Sequence, residues 1–176
     1  MANKSIISAW PAFSWGIIAG MRSLTAPTFA AHYLSRAYSP VLAGSPLRFL
    51  QSAKVATGLK VLAGAEYIGD KMPNAPNRIA APGLTFRVLS GALVGAAYRL
   101  NKSQDATTGA ILGCAGALAG SYAFYFLRTR LTQHTPAPDW VYALLEDALT
   151  LTSGNLLAQA TLTNELSLEE AGIGRI

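Results

Sequence analysis

An all-α fold, a polytopic membrane bundle of about five transmembrane helices, is what this sequence predicts, and three observations predict it. Hydrophobic residues make up 51% of the 176 and charged residues only 13%, with a mean hydropathy of +0.30. A soluble domain carries about 25% charged residues. Ala106 to Leu127 runs without a charge between Asp105 and Arg128, long enough to cross about 30 Å of hydrocarbon. Finally, the glycines fall into pairs four apart, Gly16/Gly20, Gly91/Gly95, Gly109/Gly113 and Gly116/Gly120. That spacing lets helix backbones approach closely, within the chain or across a homo-oligomer. The composition excludes a disordered chain and argues against a water-soluble enzyme.

The spans follow in order. The first, Ala12 to Ser35, carries Arg22 at its middle and Pro27 just after. Lys4 and the apolar residues after it lack a small-residue cleavage site, so they read as part of this helix rather than as a signal peptide. The second, Val55 to Ile68, holds Lys60 and ends in Glu66, Asp70 and Lys71. The third, Leu84 to Leu100, has Arg87 and Arg99 near its ends, from where both would snorkel to the headgroups. Ala106 to Leu127 is the fourth. The fifth, Trp140 to Ala160, is interrupted by Glu146 and Asp147 and has Asp139 placed to cap it.

Between these lie three connections. Ser39 to Leu50 is punctuated by Pro and Gly and reads as a surface or dipping segment. Met72 to Gly83 is a loop, because Pro73, Pro76 and Pro82 remove backbone donors and fix φ. Leu131 to Pro138 is another. Residues 1–163 therefore form a transmembrane domain, and residues 164–176 a polar tail with Glu165, Glu169 and Glu170.

Lys and Arg outnumber Asp and Glu by 14 to 9, for a pI near 9.6. The cations are scattered singly, without interleaved aromatics, which suits helix flanks and does not suit nucleic acid. Five spans put Lys4, Lys71, Arg78, Arg87, Arg128 and Arg130 on one side and Arg36, Arg48, Lys54, Arg99, Lys102 and Arg175 on the other. That even split gives no orientation. Trp10, Trp15, Trp140, Tyr38 and Tyr98 read as interfacial anchors. The single cysteine, Cys114, excludes an internal disulfide and reads as a small packing residue.

An internal echo joins Gly16-Ile-Ile-Ala-Gly20 to Gly109-Ala-Ile-Leu-Gly113, and Ala63-x-x-Glu66 to Ala143-x-x-Glu146. It suggests that spans one and two repeat as four and five. A spacing of three spans makes such a repeat inverted, a design found in secondary transporters; shared Gly/Ala composition explains the echo equally well.

Charged groups inside a bilayer cost roughly 2.5 to 3.5 kcal/mol each on insertion scales, so they face protein or water. Here Arg22 and Lys60 stand against Glu66, Asp70, Glu146 and Asp147. The surplus of carboxylates invites protonation or a cation. Glu66 and Asp70 share a helix face, and with Asn74 and Asn77 carbonyls nearby these hard oxygens suit Mg, Ca or Mn. Glu66, Asp70, Glu146 and Asp147 are thus candidate metal or proton sites, with Arg22, Lys71, Asn74 and Asn77 as pathway or counter-ion residues. Structural pairing of the same charges is the competing account. His32 and His134 have no metal spacing, and no hydrolase, P-loop, Rossmann or zinc motif is present. Neither a cofactor nor an enzymatic activity is expected.

Three stretches carry a resemblance: Ala19-Gly-Met-Arg-Ser-Leu-Thr-Ala26, Glu66-Tyr-Ile-Gly-Asp-Lys-Met-Pro73 and Pro138-Asp-Trp-Val-Tyr-Ala-Leu-Leu-Glu-Asp-Ala-Leu149. With the Gly/Ala-rich fourth span, they resemble an uncharacterised family of small bacterial integral-membrane proteins known only as a domain of unknown function. The likeness runs up to about Ala160 and implies a bacterial inner-membrane location without an activity. Glu66-Tyr-Ile-Gly-Asp-Lys-Met72 is also similar to the Glu-x-Gly-Asp-Lys-Thr/Ser signature of a cation-exchanger family. One extra residue turns the Glu by about 100° around the helix, and Met72 replaces the hydroxyl.

The expected function is a small membrane transporter or channel for a cation, or for a proton-coupled solute, using intramembrane carboxylates. The alternative is a non-transporting membrane module that binds lipid or a partner protein through Gly-rich helix faces. An enzyme acting on lipid ranks below both. Expected partners are membrane lipids, a divalent cation or proton, and further copies of the chain.

Overall fold

Proline and glycine decide where this chain breaks and where it packs. The computed structural model describes residues 2–69, 80–134 and 139–163, and these are helical with no strand among them. The helices are α1 (Ala2–Met21), α2 (Thr25–Leu34), a short α3 (Pro40–Ala43), a 3₁₀ segment (Pro46–Gln51), α4 (Ala53–Gly69), α5 (Ala81–Asn101), α6 (Ala106–His134) and α7 (Asp139–Ala158). A π-helical turn, Gln159–Thr163, closes the described chain.

The glycine pairs all serve one seam inside the chain. A Cβ on Gly16 would overlap the carbonyl oxygen of Gly113, and one on Gly20 that of Ala117. Likewise a Cβ on Gly91 would lie 2.5 Å from the carbonyl oxygen of Gly113, while one on Gly95 would overlap that of Gly109. These contacts also fix directions. Positions 16 and 20 meet α6 in ascending order, so α1 and α6 run parallel; positions 91 and 95 meet it in descending order, so α5 runs the other way. Backbone-on-backbone approach of this kind gains dispersion contact at no side-chain entropy cost.

Directions elsewhere follow from side chains. Tyr142 Oη donates to the carbonyl of Leu131 at 3.5 Å, and Leu149 shares a groove with Phe124, so α7 runs opposite to α6. Along α7, Asp147 meets Arg22, a Cβ on Gly154 would touch the Phe29 ring, and Asn155 accepts from Tyr33 Oη at 2.9 Å. Thus α2 runs with α7, and therefore against α1. The chain reverses between Met21 and Thr25. Next, Thr28 Oγ1 donates to the Leu59 carbonyl at 3.1 Å while Leu24 meets Glu66, so α4 runs back against α2.

Several expectations are corrected here. Ala12 to Ser35 is not one span but two helices folded back on each other. The echoing segments of α1 and α6 run parallel where they meet, so the premise of an inverted repeat, that they oppose one another, does not hold. Trp15 and Tyr98 are buried rather than interfacial, whereas Trp10 and Tyr38 are exposed; Trp15 fills space that the small residues around it leave open. Leu131 to His134 extend α6 instead of forming a loop, and Ala81 to Gly83 open α5, where Pro82 sits in the first turn and sacrifices no intrahelical bond. Ser39 to Leu50 is a capped helix and a 3₁₀ turn that bury Leu42 and Leu50. By length and composition α6 is, among the described residues, the one helix able to cross a membrane.

Candidate functional site: the polar turn between α1 and α2

Pro27 explains the break. In a continuous helix its ring would clash with the carbonyl of Ser23, four residues earlier, and it has no N–H to offer that oxygen. Pro11 is accommodated inside α1, but at Pro27 the helix stops, and stopping frees backbone donors and acceptors that have to be satisfied inside the protein. Arg22 N makes the last bond of α1, to Ile18 at 3.0 Å. The next two amides turn to Glu66 on α4. Ser23 N donates to Glu66 Oε1 at 2.9 Å, Ser23 Oγ to the same oxygen at 2.7 Å, and Leu24 N to Oε2 at 2.9 Å. Leu24 caps α2 without a side-chain bond of its own. The carboxylate of a distant helix does that work, where the positive end of the α2 dipole favours it.

The freed carbonyls find partners as well. Gly20 O accepts from Ser121 Oγ of α6 at 3.2 Å and lies 3.5 Å from Arg87 Nη1 of α5. Ser90 Oγ of α5 donates to Ser23 O. The turn and the last residues of α1 are therefore tied to α4, α5 and α6, chiefly through backbone groups. Arg22 adds α7: its Nε donates to Asp147 Oδ1 at 3.0 Å, and its Nη2 donates to the same oxygen. The guanidinium also lies 4.9 Å from the centre of the Tyr67 ring, whose hydroxyl meets Thr25 Oγ1 at 3.0 Å. Arg22 is 1% exposed and Asp147 6%.

The turn sits at mid-length of the longest helix, because Gly20 packs against Ala117 and Ser121 of α6 (Ala106–His134). Arg22, Arg87, Glu146, Asp147, Thr25, Thr150 and Ser121 are buried, while large apolar side chains such as Val61, Ile68, Phe86, Ile111, Phe126 and Leu145 stand on the outside.

The predicted residues separate into three groups. Glu66, Asp147 and Arg22 come together at the turn, Glu66 as a cap and Asp147 as the partner of Arg22. Glu146 is buried one residue away, on a groove between α6 and α7. Asp70, Lys71, Asn74 and Asn77 lie outside the described residues, as do the side chains of Asp139, Trp140 and His134. Among the described residues no group of three or more His, Cys, Asp and Glu is placed to hold a metal ion. Two corrections concern charge. Arg87 does not snorkel but is 6% exposed, and Lys60 is exposed on α4 rather than held at depth. The buried charges among the described residues are Arg22 and Arg87 against Glu146 and Asp147, so the carboxylate surplus read from the sequence is not found there. Sequence reasoning missed Arg87, Ser90, Ser121 and Tyr67. The polar interruptions of otherwise apolar helices at Ser90 and Ser121 were the available clue.

No family model, curated protein or solved structure matches this chain.

Proposed function

We propose that the protein is an integral membrane protein that carries a small ion or proton-coupled solute past the α1–α2 turn. The observation behind this reading is the position of an interrupted helix and its buried polar partners, at mid-length of an apolar α6 and inside an apolar-clad bundle. Non-helical backbone at membrane depth is tolerated where protein buries it or water reaches it, and broken helices near the midplane form the binding sites of many transporters. α5 and α7 hold Arg87, Glu146 and Asp147 inside the bundle, which supports the same location, whereas α4 carries Lys54 and Lys60 on its surface. α6 supplies one span. α1 with α2 forms a hairpin that enters and returns, and α4, α5 and α7 complete the bundle.

Glu66 and Asp147 are the tie points of the turn, on α4 and α7. Each is held by protein donors, so protonation, which costs a carboxylate its acceptor strength, suits the geometry better than a resident divalent ion. The reversal at the turn also moves Lys4 to the end that holds Arg36, Arg48, Lys54, Arg99 and Lys102, opposite Arg128 and Arg130. This end then faces the cytoplasm. The resemblance to a bacterial integral-membrane family accords with a bacterial inner-membrane location.

The test is flux into proteoliposomes of H⁺, Na⁺, Mg²⁺, Ca²⁺ and Mn²⁺, each with and without a pH gradient. Wild-type flux above empty liposomes, lost in Glu66→Gln/Asp147→Asn while the protein stays folded and inserted, is the expected result. Equal flux in the double variant would make the two acids structural. Absence of wild-type flux for every ion would leave the non-transporting membrane module.

A further inference from the structure

The connection from α2 to α4 is a built element rather than a slack one. Ser39 N donates to Gln51 Oε1 at 3.0 Å and Gln51 Nε2 donates to the Ser39 carbonyl at 3.1 Å, which clamps α3 to the 3₁₀ segment. Ser39 and Ser45 cap the two pieces through the amides of Leu42 and Leu47. Leu42 and Leu50 are fully buried, while the residues beside them, Val41 and Phe49, stand outside with Tyr38. One set of apolar side chains is thus packed away and another is left facing out. Cations lie among the outward set: Arg36, Arg48 and Lys54 are all exposed. Among the described residues no carboxylate pairs with any of the three. Arg36 donates to the His32 ring, an uncharged acceptor. The carboxylate described at this end of the bundle, Asp105, is taken up by Thr107 and Thr108.

At about 1.5 Å per residue, Leu34 at the end of α2 lies about 15 Å beyond Leu24, and Lys54 lies about 18 Å from Glu66 along α4. Leu24 and Glu66 meet at the turn. In the membrane reading both distances therefore run from mid-bilayer to the edge of a hydrocarbon core about 30 Å thick. We infer that residues 36–54 form an interfacial platform that binds anionic phospholipid, with Tyr38, Val41 and Phe49 entering the headgroup layer and Arg36, Arg48 and Lys54 meeting lipid phosphates. Three features select this occupant. Aromatic and apolar side chains left outside at this depth gain most in the interface. Cations that no acid of the chain balances attract anionic headgroups. This is also the end that the excess of cations assigns to the cytoplasm, whose leaflet carries anionic lipid. A protein partner would have to bring its own acids to a level where lipid phosphates already stand.

The inference rests on the membrane reading, and its test separates the two. The full chain is reconstituted in phosphatidylcholine vesicles, and its flotation with them establishes insertion independently. Val41→Cys in a Cys114→Ser background carries a fluorophore, with Leu118→Cys on the outer face of α6 as the control position. Quenching is compared for phosphatidylglycerol and phosphatidylcholine spin-labelled near the top of the acyl chain, each at the same low mole fraction. At 41, phosphatidylglycerol is expected to quench at least about twofold more strongly than phosphatidylcholine, and at 118 the two should quench alike. Arg48→Gln/Lys54→Gln should remove the preference at 41, while Arg48→Lys should keep most of it. Equal quenching by the two lipids at 41, a preference equally strong at 118, or one untouched by Arg48→Gln/Lys54→Gln would overturn the inference even with insertion intact. So would a label at 41 that neither lipid quenches, which would give the patch to water or to a protein partner. Failure of the protein to float would overturn the membrane reading instead.

Discussion

Two regions of this molecule meet on α1 and are held by opposite means. Along Gly16 and Gly20, α1 touches α6 backbone to backbone, with α5 added through Gly91 and Gly95. One turn further on, between Met21 and Thr25, the same chain is held by carboxylates, a guanidinium and hydroxyls reaching in from α4, α5, α6 and α7. The seam has no room for a methyl group and nothing that titrates. The turn has no close backbone contact of that kind, and its ties to α4 and α7 run through the carboxylates of Glu66 and Asp147. A close-packed seam and a polar junction are thereby joined in series. The difference also explains why the turn, rather than the seam, is the place to look for function.

The comparison breaks most completely at the seam. Gly113→Val places side-chain atoms into the carbonyl of Gly91, and neither helix can retreat without parting from α1. No folded protein is expected in size-exclusion chromatography of detergent extracts. Gly64→Ala is the control: nothing lies near its Cβ position on α4, and helix propensity predicts a gain of up to about 1 kcal/mol. If Gly113→Val behaves like Gly64→Ala, the close approach is wrong.

At the turn, the next largest effect comes from Asp147→Leu, which takes a carboxylate away from the buried Arg22. Removing one member of a buried pair costs about 3–5 kcal/mol, read here as a lower denaturant midpoint. Arg22→Met/Asp147→Leu should recover part of that loss, because the two charges leave together. A double variant as unstable as the single would show that the pair itself, rather than its incompleteness, matters.

Glu66→Gln keeps the shape of the cap but weakens its acceptors, and should cost about 1–2 kcal/mol in the same assay. Helicity should change little, since only the first turn of α2 depends on it. A loss as large as that of Asp147→Leu would place Glu66 in the folding core instead of at the cap of one helix.

The smallest effect is expected at the far end of the seam. Asp105 precedes α6, and its carboxylate accepts from the Thr108 hydroxyl and amide and from the Thr107 amide. The Thr108 bonds chiefly hold its pKa below the ordinary carboxylate value. A folded-state pKa lower than the unfolded one means stabilisation that is complete above the unfolded value and is lost as pH falls through the folded one. Asp105→Asn should therefore be slightly less stable than wild type at neutral pH, with the gap closing as pH falls below the ordinary carboxylate range. A gap that persists there would assign the effect to packing.

Much of this was legible in the sequence, for reasons that differ by region. Glycines four apart announce close helix contact, but spacing alone does not say whether the partner is another copy or another helix of the same chain. Pro27 and Arg22 marked a disturbed span. Its reversal was hidden, because the hydrophobic tract from Ala12 to Ser35 is as long as a straight crossing and hydropathy carries no direction. Arg22 as an internal counter-ion was readable from the cost of a buried cation, though not which of several acids would meet it. Glu66 looked like a ligand because an isolated carboxylate and a cap have the same local sequence. Arg87 misled for a related reason: a cation near a predicted helix end snorkels unless a neighbouring break offers it a carbonyl, and the break is fifty residues and more away in sequence.

The most direct test compares two positions at one depth. Leu24→Cys at the turn and Leu118→Cys on the outer face of α6, each with Cys114→Ser, would carry a nitroxide in proteoliposomes. Power saturation would then be measured with oxygen and with a water-soluble nickel chelate. The account predicts that the label at 118 responds to oxygen and is shielded from nickel, whereas the label at 24 is reached by nickel. Nickel access at both positions would contradict a membrane location, and oxygen alone at both would contradict an aqueous path to the turn.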